Sequence, residues 1–391
     1  MYQVEGTVPS IIVDAGSHTM KAGIAGEDLP RVLIPAVLAG ELEEDDREAK
    51  TETRKYKNIS AGHYALSKRR DNVEIASPFG EAGLVDNWDL FEQLLSHTFK
   101  RSLRIETREN AMLFSDPIHN GRKARERIAE LMFEKFEVPA VYLARSAVLS
   151  AYANGRTTGI VLDVGHSGTS AVPVEDGAML KGKFIRTAVA GRTLNERLQE
   201  ELIRKSLSFP KTTKSFELYS KATLLEEVKA AVCVVHENPT TQLTSLPMVN
   251  ESYELPDGNT VEMGAERFAM AEETIFSSGG GDHPQASQGL HGLVIDAIRL
   301  CDSGVHRDMY AGVCLTGGTS DMGGLFERLS FGLLEMYHKV RVLAATGSHE
   351  RKYCAWTGGS ILATFPEFQK MWFSRSEYDE NGSSFVHRKC Q

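Results

Sequence analysis

Two stretches of this chain, 149 positions apart, follow one plan. SIIVDAGSHTMKAGIAGEDLP (10–30) and TGIVLDVGHSGTSAVPVEDGAML (158–180) each run an apolar, β-branched segment into an aspartate. A small-residue glycine turn follows, then a second apolar segment. Asp14 and Asp163 close the two first segments. A repeated strand–turn–strand unit is improbable by chance and implies a duplicated α/β domain. The length of 391 residues accommodates it, at roughly 100–200 residues per domain.

Helical periods fill the space between the repeats. In NGRKARERIAELMFEKF (120–136), Ile128, Leu131, Met132 and Phe136 form one apolar stripe. In GRTLNERLQEELIRK (191–205), Leu194, Leu198 and Leu202 recur every fourth residue. Both stripes are expected to face the core. Three segments break the pattern. ELEEDDREAK (41–50) holds six acids and two bases and reads as a solvated, mobile excursion. HENPTTQLTSLPMVNE (236–251) and FSSGGGDHPQASQG (276–289) read as loops. AAVCVV (230–235), among the longest aliphatic runs, is strand-sized, so no bilayer-spanning segment is expected.

Composition excludes several classes. The formal charge of −9 repels phosphodiesters, so no direct sequence-specific DNA binding is expected. Cys233, Cys301, Cys314, Cys354 and Cys390 are scattered, which argues against a disulfide framework or thiolate zinc site and for a reducing compartment. The opening MYQVEGTVPSIIVDAG carries no basic leader, so a soluble intracellular protein is expected.

The turns constrain the chemistry. After Asp14, Gly16 allows close backbone approach. The N–H groups of Ser17, His18 and Thr19 can converge on an anion, and Lys21 adds a point charge. VGHSG (164–168) could grip the same polyphosphate, with Asp14 and Asp163 holding a hydrated Mg²⁺. Each turn alone is also what an ordinary hairpin requires; the matched pair favours nucleotide binding. LTGGTSDMGG (315–324) follows an apolar strand and suits either an adenosine site or a plain strand–helix connection. No GxxxxGK[ST], HExxH or GxSxG occurs, so motif evidence excludes a Walker-type NTPase and gives no zinc protease or nucleophile elbow.

Over nearly its whole length the chain resembles the actin-related proteins. DAGSHTMKAGIAGEDLPR is similar to the first phosphate loop of actins, ANGRTTGIVLDVGHSGTSAVPVEDG to the second, and TGGTSDMGGLFERL to the adenosine turn. YELPDGN (253–259), GAERF (264–268) and KYCAWTGGSILATFPEFQKMWFSRSEYDENG…VHRKC (352–390) extend the likeness. The resemblance implies an α/β, actin-like duplicated ATPase fold, with two lobes (four subdomains) around a nucleotide cleft. The outer lobe would be 1–150 with 350–391, subdomain 2 at about 35–78. The inner lobe would be 151–349, subdomain 4 at about 191–285. It implies ATP with Mg²⁺ as cofactors. The cofactor would be held by Asp14, Gly16, Ser17, His18, Thr19, Lys21, Asp163, Gly165, His166, Ser167 and Gly168. Gly191, Lys229, Gly317, Gly318, Met322 and Lys352 would complete the set.

Departures from the actin pattern bear on activity. Ser146 stands where actins place a water-orienting glutamine, and Ser170 where a histidine assists that water. His166 replaces the last Asp of the second loop, His18 a Gly of the first, Ala230 an adenosine-side Glu and Met322 an adenine-stacking Tyr. Phosphoryl transfer needs an oriented nucleophile, and losing both groups is worth roughly 10²–10⁴ in rate. ATP binding without fast hydrolysis is expected. The acidic 41–50 stretch and the polar SSGGGDHPQ replace the apolar filament contacts of actins, so no conventional filament is expected.

Tyr152, Leu362, Phe365 and Met371 match the barbed-end groove of actins, which takes amphipathic helices. NGRKARERIAELMFE, SAVLSAYANGRTTGIVLD and PDGNTVEMGAERF are most similar to the nuclear class, a subunit shared by chromatin remodellers and histone acetyltransferase complexes. That class implies a nuclear protein, also cytoplasmic in part. Its partners would be actin, a long helix of a remodelling ATPase or acetyltransferase scaffold, and histones, with no membrane. The alternative is a divergent cytoskeletal actin that polymerises and hydrolyses ATP. A sugar-kinase or chaperone-type ATPase shares the fold, but 391 residues leave no room for a chaperone's separate peptide-binding domain, and the actin-like C-terminal signature argues against a kinase.

Overall fold

Runs of β-branched residues become central strands in both halves of the chain, buried on both faces as parallel pairing demands. A computed structural model describes residues 10–43, 54–68, 70, 72–205, 214–237, 250–255, 258–276, 289–347 and 350–391. It divides into two compact units, Met1–Gly155 with Tyr353–Gln391, and Arg156–Lys352.

In the first unit β1 (Ser10–Ala15) pairs antiparallel with β2 (Thr19–Ile24) and parallel with β7 (Ala111–Asp116). Adding β3 (Val32–Pro35), β8 (Ala140–Arg145) and β17 (Phe373–Ser374) gives a six-stranded sheet, ordered β17-β8-β7-β1-β2-β3. A smaller sheet runs β5 (Tyr56–Ala61), β4 (Leu38–Leu42), β6 (Glu74–Ala76). The core gathers Ile12, Leu113, Phe133 and Trp356, and the Trp356 indole N–H donates to the Ile12 carbonyl at 3.2 Å. Helix Trp88–His97 starts where Asn87 Oδ1 accepts from the Leu90 N–H, a side-chain N-cap.

The second unit repeats the arrangement. β9 (Gly159–Val164) pairs antiparallel with β10 (Thr169–Glu175) and parallel with β15 (Val313–Thr316). Its sheet runs β11 (Ala178–Met179), β10, β9, β15, β16 (Val342–Leu343), with β12 (Ile185–Thr187) also on β10. β13 (Glu251–Glu254) and β14 (Thr260–Met263) form a separate hairpin. Leu194, Leu198 and Leu202 of helix Gly191–Arg204 are buried in this unit's core, and Ile128, Met132 and Phe136 in the other, as their periodicity requires.

Three sequence expectations need correction. Phe276 and Gly289, the two ends of a segment expected to be loop, are both buried, Phe276 closing the helical turn Glu272–Phe276 and Gly289 opening helix Gly289–Arg299. Glu41 and Leu42, the start of the acidic excursion, belong to β4, where the Asn58 amide donates to Glu41 Oε2 at 3.0 Å. Glu251, assigned to a loop, opens β13. The rest of the acidic stretch (44–50), and the loop positions 238–249 and 277–288, lie outside the described residues.

Candidate functional site

Each aspartate of the repeat is the penultimate or near-final residue of a central strand, where sheet geometry fixes its direction. Asp14 faces Lys21 across the β1–β2 register. The Lys21 ammonium donates to Asp14 Oδ2 at 2.8 Å, both side chains being largely buried. On the other side, the Ser115 hydroxyl of β7 hydrogen-bonds Asp14 Oδ1. Both carboxylate oxygens are therefore engaged, which holds the group oriented. The connecting turn, Gly16–Ser17–His18, is tight: a Cβ on Gly16 would sit 3.0 Å from the Thr19 carbonyl oxygen. The Ala36 N–H pins its far end to the His18 carbonyl at 2.9 Å.

In the second unit the equivalent turn is clamped from three sides. The first two N–H groups of helix Gly191–Arg204 donate to the Gly165 and His166 carbonyls at 3.0 and 2.9 Å. The Thr319 hydroxyl also donates to the Gly165 carbonyl, at 2.7 Å, and Arg186 to that of Ser167, at 3.2 Å. Gly168 abuts Arg186, and a Cβ on Gly191 would strike Thr319. The third turn closes on the aspartate. Gly317 has φ +95°, and a Cβ there would lie 2.4 Å from Asp163 Oδ1, so no other residue serves. Gly318 and Lys352 are neighbours, and Met322 packs on the core with its N–H donating to the Thr319 carbonyl.

Lys229 is buried, its ammonium donating to Asn195 Oδ1 and Glu226 Oε2, each at 2.7 Å. The Asn195 amide donates to Glu226 Oε1 at 2.7 Å, and His166 Nδ1 lies 3.7 Å from that oxygen. Lys229 thus anchors a network under the second turn. Asp163, Gly165, His166, Ser167, Gly168, Gly191, Lys229, Gly317, Gly318, Met322 and Lys352 all belong to this unit. Asp14 to Lys21 belong to the first unit. Of the two replacement serines, Ser146 opens helix Ser146–Ala153 after β8, and Ser170 lies directly opposite Asp163 on β10.

Sequence reasoning missed Ser115, Thr316, Asn195 and Glu226. The first two carry a signal: the repeat extends to a third strand, FSD and LTG, each with a hydroxyl at the aspartate's level. Asn195 and Glu226 carry none beyond an i, i+3 spacing from Glu226 to Lys229.

The residues present suit a hydrated divalent cation with an anionic ligand. Carboxylates are the donor class hard cations take. Thr316 Oγ1, in register with Asp163, is buried without a partner among the described residues.

The apolar set lies in the first unit. Helices Ser146–Ala153 and Cys354–Leu362 pack closely, Tyr152 half-buried and Leu362 resting on the core. Phe365 and Met371 are 43% and 45% exposed, so they are surface residues and not core.

Twin central sheets, each with an antiparallel hairpin, a parallel third strand and an aspartate at the strand end, define the duplicated two-lobe actin-like fold. The family profile described as Actin matches residues 5–391, and the chain belongs to the actin family. It is 36% identical to actin-related protein 4 of Arabidopsis thaliana, over 98% of each chain. The proteins of that name from Oryza sativa subsp. indica and subsp. japonica are each 34% identical over the same shares. The fold generally binds a nucleotide with a divalent metal. Among the described residues no helix is long and apolar enough to cross a membrane.

Proposed function

We propose that the chain is an actin-related structural subunit of a nuclear chromatin-remodelling or histone acetyltransferase complex that holds Mg²⁺-ATP and turns it over slowly. The observation that carries the slow turnover is Ser170 opposite Asp163, with Ser146 at the other water-orienting position. A serine hydroxyl is neither an imidazole nor a carboxamide: it takes no proton near neutral pH and reaches less far. The backbone N–H groups of both turns would bind phosphate oxygens, and Asp14 and Asp163 would orient the metal's waters. Magnesium, when bound, neutralises phosphate charge. Gly317, Gly318, Met322 and Lys352 would border the adenosine, and Lys229 would brace His166 and the second turn through Glu226. The subunit reading draws on the full-length likeness to proteins named actin-related protein 4 and on the exposure of the apolar Phe365 and Met371. Actin, a long scaffold helix and histones are the partners it implies.

Calorimetric titration with Mg²⁺-ATP tests the cofactor half. The wild-type chain is expected to bind, and Asp163→Ala to weaken binding by roughly tenfold or more, since a charge-assisted contact is lost. Unchanged affinity in that variant would sink the assignment. A polymerising actin remains the second reading because of the actin-like C-terminal segment SEYDENG…VHRKC. High-speed pelleting of the ATP-loaded protein decides it: the expected result is protein in the supernatant.

A further inference from the structure

In each unit the aspartate is the middle of a row of three side chains on adjacent strands. The first row is Lys21, Asp14 and Ser115. The second is Ser170, Asp163 and Thr316, whose Cα atoms are direct register partners. Register partners in a sheet project to the same face, so Thr316 shares the face of Asp163. That face is opposite the one carrying Leu162 and Leu315 into the core.

The two rows differ in how the third hydroxyl is used. Ser115 hydrogen-bonds Asp14. Thr316 is 1% exposed, and its Oγ1 has no hydrogen-bond partner among the described residues. Burying an unsatisfied hydroxyl costs stability, and valine has nearly the same shape without that cost. Next to it, the Gly317 backbone packs directly on the strand end, where a Cβ would lie 2.4 Å from both Asp163 Oδ1 and the Val164 carbonyl oxygen. A buried donor with no internal partner, in direct register with the carboxylate of Asp163, is a group kept for a ligand.

We propose that Thr316 is a further binding residue of the site, its hydroxyl donating to a water of the hydrated divalent cation that accompanies a nucleoside triphosphate. The inference rests on the Mg²⁺-nucleotide reading above. It makes an unusual demand on one substitution, because removing the hydroxyl helps the empty protein and harms the loaded one.

The test uses the full chain as wild type, Thr316→Val and Thr316→Ser, each measured by thermal unfolding without nucleotide and by calorimetric titration with Mg²⁺-ATP. Thr316→Val is expected to unfold no lower than wild type when empty, yet to bind Mg²⁺-ATP about three- to tenfold more weakly, the range of one hydrogen bond. Thr316→Ser keeps the donor and is expected to restore affinity. Equal affinity of Thr316→Val and wild type overturns the proposal while leaving the nucleotide reading intact. A marked drop in the empty variant's Tm assigns the hydroxyl a structural role and also overturns it. If the wild type itself gives no binding, the proposal and the reading beneath it fall together.

Discussion

His291 sits on helix Gly289–Arg299 with its ring against Phe276 and its Nε2 3.3 Å from the Arg328 carbonyl oxygen. Burial, aided by the Arg328 charge and opposed by that hydrogen bond, pushes its pKa down to about 4. The unfolded imidazole titrates at about 6.5. Between those values the unfolded chain takes up a proton that the folded chain refuses, so stability rises with pH across that window and is lost as pH falls through it. The expected loss from this one group is of order 2 kcal/mol between pH 7.5 and pH 5. Arg328, whose NH1 lies 3.5 Å from His291 Nε2, is paired with buried Glu272 through hydrogen bonds of 3.0 and 2.7 Å. Urea midpoints of wild type and His291→Gln across that range check the expectation. The variant starts lower but gives the flatter curve, and parallel curves would remove His291 from the account.

At the scale of elements, the helix pair Ser146–Ala153 and Cys354–Leu362 is held at backbone distance by glycine. A Cβ on Gly358 would sit 1.7 Å from the Leu149 carbonyl oxygen, and one on Gly359 2.8 Å from Ile12 Cγ2. Two effects oppose each other in Gly358→Ala. Helix propensity favours alanine by roughly 1 kcal/mol. Overpacking against a carbonyl that cannot move alone costs about 1–3 kcal/mol or more. The clash wins, and thermal unfolding is expected to show a clear loss, whereas Gly304→Ala, where nothing lies within 4 Å, is near neutral. The packing partner of that glycine is 209 positions away, which is why such contacts are not legible locally. The echo around Asp14 and Asp163 was legible because a hairpin and its turn are short-range, as were the Leu194 and Ile128 stripes because one helix carries them. Ser115 and Thr316 gain their roles from register across three strands, a non-local property that composition does not encode.

For the whole molecule, the decisive property is what its surface offers to other chains. The sum of −9 disfavours nucleic acid as the direct partner, so the proposed chromatin role would run through protein recognition. Phe365 and Met371 are large apolar side chains held out of the core, with Ile361 also 36% exposed close by in sequence. Exposed anchors of this kind cost little in the folded chain and contribute most when a partner's amphipathic helix buries them. Phe365→Asp should therefore leave thermal unfolding nearly unchanged, because the ring is not part of the core, while replacing an anchor with a charge that a buried interface does not tolerate. Affinity purification of tagged wild type and Phe365→Asp from nuclear extract, with mass spectrometry of what co-elutes, separates the alternatives. Recovery by the wild type of actin and a remodelling or acetyltransferase scaffold, lost from the variant at equal Tm, places docking at this surface. Full recovery by the variant moves docking elsewhere on the chain, and recovery of filament-associated proteins in place of those scaffolds replaces the nuclear reading with the cytoskeletal one.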